Sequence, residues 1–137
     1  MKIKITGIGS YIPALKIHNT DFDKHVFLNE DGSAFAYPND VVISKFKGIT
    51  GIEQRRYAED HLNSSDLAFF ASEKAIEDAK IDPETIDYII YAHNFGDVNH
   101  GTIQTDTLPS LATRVKNKLQ IKNPKCVAYD ILFGCPG

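Results

Sequence analysis

Two short apolar segments, residues 88–92 and 126–131, place the tightest limit on how this chain can fold. The first is a continuous run, Tyr-Ile-Ile-Tyr-Ala, which is typical of a strand covered on both faces in a parallel or mixed sheet. The second indicates a further buried strand. Residues 110–120, between them, repeat apolar side chains at helical spacing. Since strand, helix and strand follow one another with short connections, we predict an α/β layered fold with helices packed on the sheet.

The start of the chain predicts another strand. Residues 2–8 alternate lysine and isoleucine, which is a period-two pattern, and they run into Gly7 and Gly9. Glycine permits a tight backbone turn, and Pro13 ends the segment. We therefore expect a strand over residues 2–8 that leads into a turn.

A long helix and a loop region complete the predicted elements. The helix opens at Ser64, with serine at its cap, and Pro83 lies beyond its end. A short helix is predicted to begin at Asp21. Residues 29–33 and 37–40 are rich in Asn, Asp, Gly, Ser and Pro, and they indicate a loop on the surface.

Composition and charge exclude several classes of function. A chain of 137 residues with 42% apolar content can bury one modest core, and a formal charge of −3 gives no reason for nucleic acid to bind. No apolar run approaches the roughly 20 residues that span a bilayer, and residues 1–5 alternate instead of forming a signal-peptide core. We expect a cytoplasmic protein with no membrane segment. Cys126 and Cys135 are not spaced as metal ligands, so free thiols are predicted, Cys126 as a small buried hydrophobe.

The segment Phe-Gly-Cys-Pro-Gly at residues 133–137 carries the candidate chemistry. Gly134 permits a sharp turn, and Pro136 suits the first position of a helix, which places Cys135 at the helix cap. Unpaired backbone N–H groups and the positive helix end favour a thiolate and lower the thiol pKa. The same amides can receive the oxyanion of a tetrahedral intermediate. An inert buried cysteine would give the same local pattern.

Four motifs span the chain in one order. They are Gly-Ile-Gly-Ser-Tyr-Ile-Pro at 7–13, Gly-Ile-Thr-Gly-Ile-Glu-Gln-Arg-Arg at 48–56, Ser-Asp-Leu-Ala at 65–68 with Ile-Asp-Pro at 81–83, and Tyr-Asp-Ile at 129–131 with Cys-Pro-Gly at 135–137. This set resembles the amino-terminal part of the β-ketoacyl-[acyl-carrier-protein] synthase III family of condensing enzymes, in the thiolase superfamily. The resemblance implies a thiolase-like layered fold, a mixed sheet with helices packed on it, in which residues 1–137 form an incomplete first half.

The resemblance also implies an activity, with Cys135 as the acyl-accepting nucleophile. Its thiolate would attack a thioester on coenzyme A or acyl carrier protein and release the carrier thiol. A second, malonyl thioester would lose carbon dioxide and attack the acyl group, which is a decarboxylative Claisen condensation of fatty-acid initiation or a related pathway. Coenzyme A or phosphopantetheine thioesters enter as substrates, and no permanently bound cofactor is implied.

The catalytic His and Asn of the family come from its second half, which this chain does not contain. We therefore expect the chain alone to be inactive, with a companion carboxy-terminal segment or chain, and a homodimer of complete subunits. The histidines present are expected to be surface or loop residues: His18, His25, His61, His93 and His100. Residues 94–99, between the last two, form either a pocket rim or a solvated loop.

Three positions depart from the family pattern or bear on its acyl pocket. Lys45 stands where many members place a Trp that stacks on coenzyme A, and Ile49 replaces an Arg. Leu108 falls where the family projects a side chain across its dimer into the neighbouring acyl pocket. Lys45, Ile49 and extra residues in the loop around 97–105 suggest, as an alternative, a relative that builds a specialised ketide, resorcinol or ester. A non-catalytic partner subunit is the other alternative, and the presence of Cys135 argues against it.

One basic cluster stands out near the end of the chain. It contains Arg114, Lys116, Lys118, Lys122 and Lys125. Acidic acyl carrier protein could be steered to such a cluster. The other interpretation is the solvated face of a helix, which we favour because exposed lysines are common on helices.

Overall fold

The computed structural model describes residues 2–132. The chain divides into two compact units. Unit 1 combines the residues up to Ile12 with those from Asp60 onward, and unit 2 comprises Pro13–Glu59.

Unit 1 contains two helices and four strands in its described part. Numbered after β1 (Leu15–His18), α1 (Asn39–Thr50) and β2 (Gln54–Tyr57) of unit 2, they are α2 (Ser64–Ala79), β3 (Tyr88–His93), β4 (Asp97–Val98), β5 (Thr105–Asp106), α3 (Leu111–Lys118) and β6 (Val127–Leu132). A short 3₁₀ turn, Pro83–Thr85, follows α2. Of the predicted order strand, helix, strand, helix and strand, the last four elements are confirmed as α2, β3, α3 and β6.

The two long strands of unit 1 pair in parallel. Their register runs from Tyr88 opposite Val127 to His93 opposite Leu132. Helices α2 and α3 lie on one face of this pair, because Tyr91 of β3 hydrogen-bonds Ser64 and Asp130 of β6 hydrogen-bonds the first residues of α3. β4 and β5 form a separate antiparallel pair.

Both helices of unit 1 begin at polar cap residues, of which only the cap of α2 was predicted. The Ser110 hydroxyl accepts a hydrogen bond from the Thr113 N–H and caps α3. Helix α2 is capped one residue earlier than predicted, at Asn63, whose N–H donates to the Asp66 carboxylate. It ends at Ala79, before Lys80 in a left-handed conformation.

The core of unit 1 surrounds α3. Its buried apolar residues are Leu111, Ala112, Val115, Ile121 and Cys126. Leu111 and Ala112 have no exposed surface. Cys126 is buried as predicted, although it precedes β6 instead of lying within it.

The prediction that residues 88–92 are covered on both faces was wrong for this chain. The face that carries Tyr88, Ile90, Tyr129 and Ile131 is open, and Ile90 is 64% exposed. Helices α2 and α3 contact only the opposite face, so a second layer would be needed to cover this one. The apolar run therefore predicted the strand correctly, but it wrongly predicted that both faces of the strand are buried.

The predicted strand over residues 2–8 is also absent. This segment instead runs along α2, where the Ile8 N–H donates to Asp78 and the Ser10 carbonyl accepts from Lys74. A Cβ added at Gly7 would lie 2.5 Å from the Ala75 carbonyl oxygen, and one added at Gly9 would collide with the backbone of the same helix. These glycines permit close packing against α2, not the predicted turn.

Unit 2 contains a helix that the sequence analysis missed. Strands β1 (Leu15–His18) and β2 (Gln54–Tyr57) pair antiparallel, and α1 spans Asn39–Thr50. The predicted loop at residues 37–40 therefore ends in the first turn of α1, while the short helix expected at Asp21 is a 3₁₀ turn, Asn19–Phe22.

Candidate functional site

The predicted nucleophile follows the carboxyl end of β6. Parallel strands end at the same edge of a sheet, and His93 and Leu132 are paired at that edge. Residues 133–137 lie outside the described residues, so the placement of Cys135 and its helix cap stay predictions. The described part of the site is the group of polar side chains just behind this edge.

Asp130 links strand β6 to helix α3. Its side chain is 8% exposed. One carboxylate oxygen, Oδ1, accepts the Ala112 N–H at 2.7 Å, and Oδ2 accepts the Leu111 N–H at 2.7 Å. A carboxylate at this position accepts hydrogen bonds from two otherwise unpaired N–H groups of the first helical turn. Its negative charge also interacts favourably with the positive end of the helix dipole.

His93 completes the set of partners of Asp130. Its Nε2 lies 3.0 Å from Asp130 Oδ2, and its Nδ1 accepts the Gly96 N–H at 2.9 Å. A ring whose Nδ1 accepts carries its proton on Nε2, so His93 is neutral and donates to Asp130. The side chain is 5% exposed, which corrects the prediction of a surface or loop histidine.

Hydrogen bonding determines the charge of Asp130. Burial raises the pKa of its carboxyl most strongly, but the N–H donors of Ala112, His93 and Leu111 together outweigh burial and hold the pKa below its ordinary value. Asp130 is therefore an anion with three donors, and it carries the negative charge of this site.

A second buried carboxylate lies in the segment predicted as a pocket rim or solvated loop. Asp97 of β4 is 3% exposed and accepts hydrogen bonds from both the N–H and the hydroxyl of Ser65. Arg114 of α3 donates to it at 2.8 Å. Asp97 thus joins the starts of α2 and α3, so this part of the segment is structural.

Arg114 also holds the chain that leads into α3. Its guanidinium donates to the carbonyl oxygens of Leu108 and Pro109 and pairs with Asp106 at 2.7 Å. The hydrogen bond from Arg114 keeps the pKa of Asp106 below its usual range. The backbone is anchored while the Leu108 side chain is 83% exposed.

The basic cluster is largely paired within the chain. Besides Arg114, Lys116 donates to the carbonyls of Asn123 and Cys126, and Lys118 pairs with Asp66 at 2.6 Å. The interpretation as a simple solvated helix face is therefore wrong for Arg114 and Lys116, while it holds for Lys118, which is exposed. Their charges are also partly neutralised, which weakens the case for a carrier-protein surface there.

Over its full 137 residues the chain is 36% identical to β-ketoacyl-[acyl-carrier-protein] synthase III 1 of Vibrio cholerae and to synthase III of Staphylococcus haemolyticus. It is synthase III-like. The chain spans 36% of each relative's length. The crystal structure of 3-oxoacyl-[acyl-carrier-protein] synthase III from Aquifex aeolicus superimposes on 98% of the chain and 36% of that protein, with a TM-score of 0.68 at 28% identity. No family model matches.

These similarities confirm the predicted resemblance and the thiolase-like α/β fold of this synthase III-like chain. Within the described residues, no group of three or more His, Cys, Asp or Glu side chains could hold a metal ion. In the same part of the chain, no helix has the length and apolar character needed to cross a membrane.

The positions that depart from the family pattern lie in unit 2 of this synthase III-like chain. The Lys45 ammonium lies 4.6 Å from the centroid of the Tyr37 ring, and Lys47 pairs with Glu53. Ile49 is 81% exposed. Unit 2 also contains a half-open pocket of about 220 Å³ lined by Asn19, Phe22, Phe27, Ile43, Phe46, Arg55 and Tyr57.

Proposed function

We propose that the complete protein is an acyltransferase that forms an acyl-cysteine at Cys135 and catalyses decarboxylative Claisen condensation of thioesters. The observation that carries this proposal is the similarity over the whole chain to proteins named synthase III, together with a Cys-Pro-Gly sequence that begins three residues after the last residue of strand β6. Fatty-acid initiation, or a related pathway, is the setting that those names suggest.

The chemistry requires a thiolate and a place for the substrate's negative oxygen. Gly134 and Pro136 flank Cys135 as a turn and a helix start would require. The thiolate attacks the thioester carbonyl, the acyl group moves to sulfur, and the carrier thiol leaves with a proton. Loss of carbon dioxide from the second thioester then supplies the carbanion that forms the carbon–carbon bond.

We further propose that residues 1–137 alone do not catalyse this reaction. A cysteine at a helix cap is activated by the amides of the helix that follows it, and only two residues follow Cys135 here. Without them, the thiol pKa should lie near its unperturbed value of about 8.5. The remaining residues, on one companion segment or chain, would also supply the enolate-stabilising groups.

We also propose a homodimer of complete subunits, with Leu108 at its acyl pocket. The Leu108 side chain is exposed, and it sits on a backbone anchored by Arg114. An apolar side chain on a rigid support is suited to contact an acyl chain. Its size would then influence which donor is accepted.

The test is acyl-enzyme formation in the complete protein. Incubation with acetyl-coenzyme A, or with acetyl-acyl carrier protein, should add an acetyl group to Cys135, detected by intact mass and peptide mapping. Cys135→Ala should remove the label, and Cys126→Ala should keep it as the matched control for a second thiol. Labelling that survives Cys135→Ala, or no labelling with either carrier, contradicts the proposal. The 137-residue chain should remain unlabelled under the same conditions.

A further inference from the structure

His93 and Asp130 lie behind the sheet edge at which β6 ends, and Asp130 is close in sequence to Cys135. A cysteine, a histidine and a carboxylate often act together as nucleophile, base and orienting group. In this chain, however, both ring nitrogens are already used: Nε2 by Asp130 and Nδ1 by the Gly96 N–H. His93 has no free lone pair to take a thiol proton, so it is not the base for Cys135.

The hydrogen bonds of His93 and Asp130 instead join separate segments of the backbone. Asp130 links β6 to the first turn of α3 by accepting two backbone hydrogen bonds. His93, at the end of β3, is hydrogen-bonded to Asp130. The Gly96 N–H extends the connection to the turn after β3, where Gly96 has a φ of +78°. Four pieces of backbone thus meet at two side chains that are almost fully buried.

We propose that His93 and Asp130 are positioning residues that set where Cys135 is presented. The inference rests on the proposed function, since it assigns these residues to the same nucleophile. Asp130 precedes Cys135 by five residues, and His93 is paired with Leu132, three residues before it. Any shift of β6 against α3 or β3 therefore moves Leu132, the point from which the chain continues to Cys135.

The expected effect is on rate rather than on binding. A displacement of about 1 Å between a nucleophile and its target can lower a rate about 100-fold. Because neither side chain is expected to touch the thioester, the donor concentration at half-saturation should change little. A lower maximum rate with an unchanged half-saturating concentration therefore distinguishes a positioning role from a direct binding role.

The experiment separates the two hydrogen bonds of His93 in the complete protein. In His93→Gln the side-chain amide lies near the Nε2 position and can still donate to Asp130. In His93→Asn the shorter side chain can accept from Gly96 but does not reach Asp130. The maximum rate of acetyl-cysteine formation from acetyl-coenzyme A is measured for each, together with the half-saturating concentration and the thermal unfolding midpoint.

We expect His93→Asn to lower the maximum rate about 10- to 100-fold with half-saturation nearly unchanged, and His93→Gln to stay within about 5-fold of the parent protein. Equal rates in both variants, with only the unfolding midpoint lowered, would reduce the pair to a structural role. A loss confined to half-saturation would also overturn the proposal. Should His93→Asn not fold, His93→Met provides a variant of similar bulk without either hydrogen bond.

A second measurement keeps the inference independent of condensing activity. Alkylation of Cys135 by iodoacetamide at neutral pH, followed by mass spectrometry, reports the environment of the thiol without a thioester. We expect alkylation to be several-fold slower in His93→Asn than in His93→Gln. If the parent protein is never acetylated, the proposed function fails, while the alkylation ratio still decides the positioning inference. Equal alkylation in the two variants would reject it.

Discussion

The region around α3 and β6 in unit 1 and the region around α1, β1 and β2 in unit 2 use their charged residues differently. In unit 1, the Arg114–Asp97 pair has side-chain exposures of 17% and 4%. In unit 2, the Lys47–Glu53 pair has exposures of 59% and 69%. The two distances are similar, 2.8 and 2.6 Å. Distance alone therefore does not rank these ion pairs.

Burial is the property that separates the two regions. Removing one partner of a buried pair leaves the other charge without water or a counter-ion, whereas an exposed charge is resolvated. Unit 1 also surrounds its charges with a core that includes Leu111 and Val115, while Val42 is the buried apolar residue described in unit 2. We infer that the polar contacts of unit 1 control stability far more than those of unit 2.

The sharpest test of this difference compares Arg114→Ala with Lys47→Ala. Arg114→Ala should lower the free energy of unfolding by about 3–5 kcal/mol, because Asp97 stays buried without its cation and two backbone carbonyls lose a donor. Lys47→Ala should cost about 0–1 kcal/mol, because both partners are exposed. Urea unfolding of the complete protein measures both. Losses of equal size would refute the distinction between the regions.

Two glycines provide the next test. Gly9→Ala should destabilise the protein by about 1–3 kcal/mol, since its Cβ would collide with the backbone of α2 around Ala71 and Ala75. Gly48→Ala, in α1, meets nothing within 4 Å and should stabilise by about 0.5–1 kcal/mol through helix propensity.

The unfolding midpoint in urea checks the opposite signs of these two changes. A neutral Gly9→Ala would mean that residues 2–12 do not pack against α2 in solution. A destabilising Gly48→Ala would show that α1 has a neighbour at Gly48 that the described contacts lack.

Local patterns were sufficient for the elements around the core of unit 1. Helices α2 and α3 have clear polar caps, and strands β3 and β6 are apolar runs bounded by turn residues. Helix α1 was missed because its sequence, NDVVISKFKGIT, is rich in β-branched residues and contains a glycine, all poor helix formers. Tertiary context overrides such propensities, and sequence patterns do not report it.

The polar site was harder to predict than the fold. A carboxylate inside the apolar strand of residues 126–131 was a usable signal, because a buried charge requires partners. Its partners, His93 and the first N–H groups of α3, are separated from Asp130 by 37 residues and by 18 to 19 residues. No local pattern encodes contacts at such separations. Cys135, by contrast, was predicted from motifs, and it stays a prediction.

The smallest expected effect is on the pH dependence of stability, and it concerns Asp130. Its folded-state pKa lies below the unfolded value of about 3.9, so its contribution to stability is complete above that pH and is lost as pH falls through the folded pKa. Asp130→Asn should therefore destabilise the protein at neutral pH, and the gap to the parent protein should narrow below about pH 4. Urea unfolding at a series of pH values measures the gap.

Glu53→Gln serves as the control, because Glu53 is an exposed carboxylate whose pKa is lowered mainly by the hydrogen bond from Lys47. This variant should show only a small gap at every pH. A gap for Asp130→Asn that is constant with pH would mean that the pKa of this carboxyl is the same in the folded and unfolded protein, and a gap that widens below about pH 4 would mean that the carboxyl is neutral when folded.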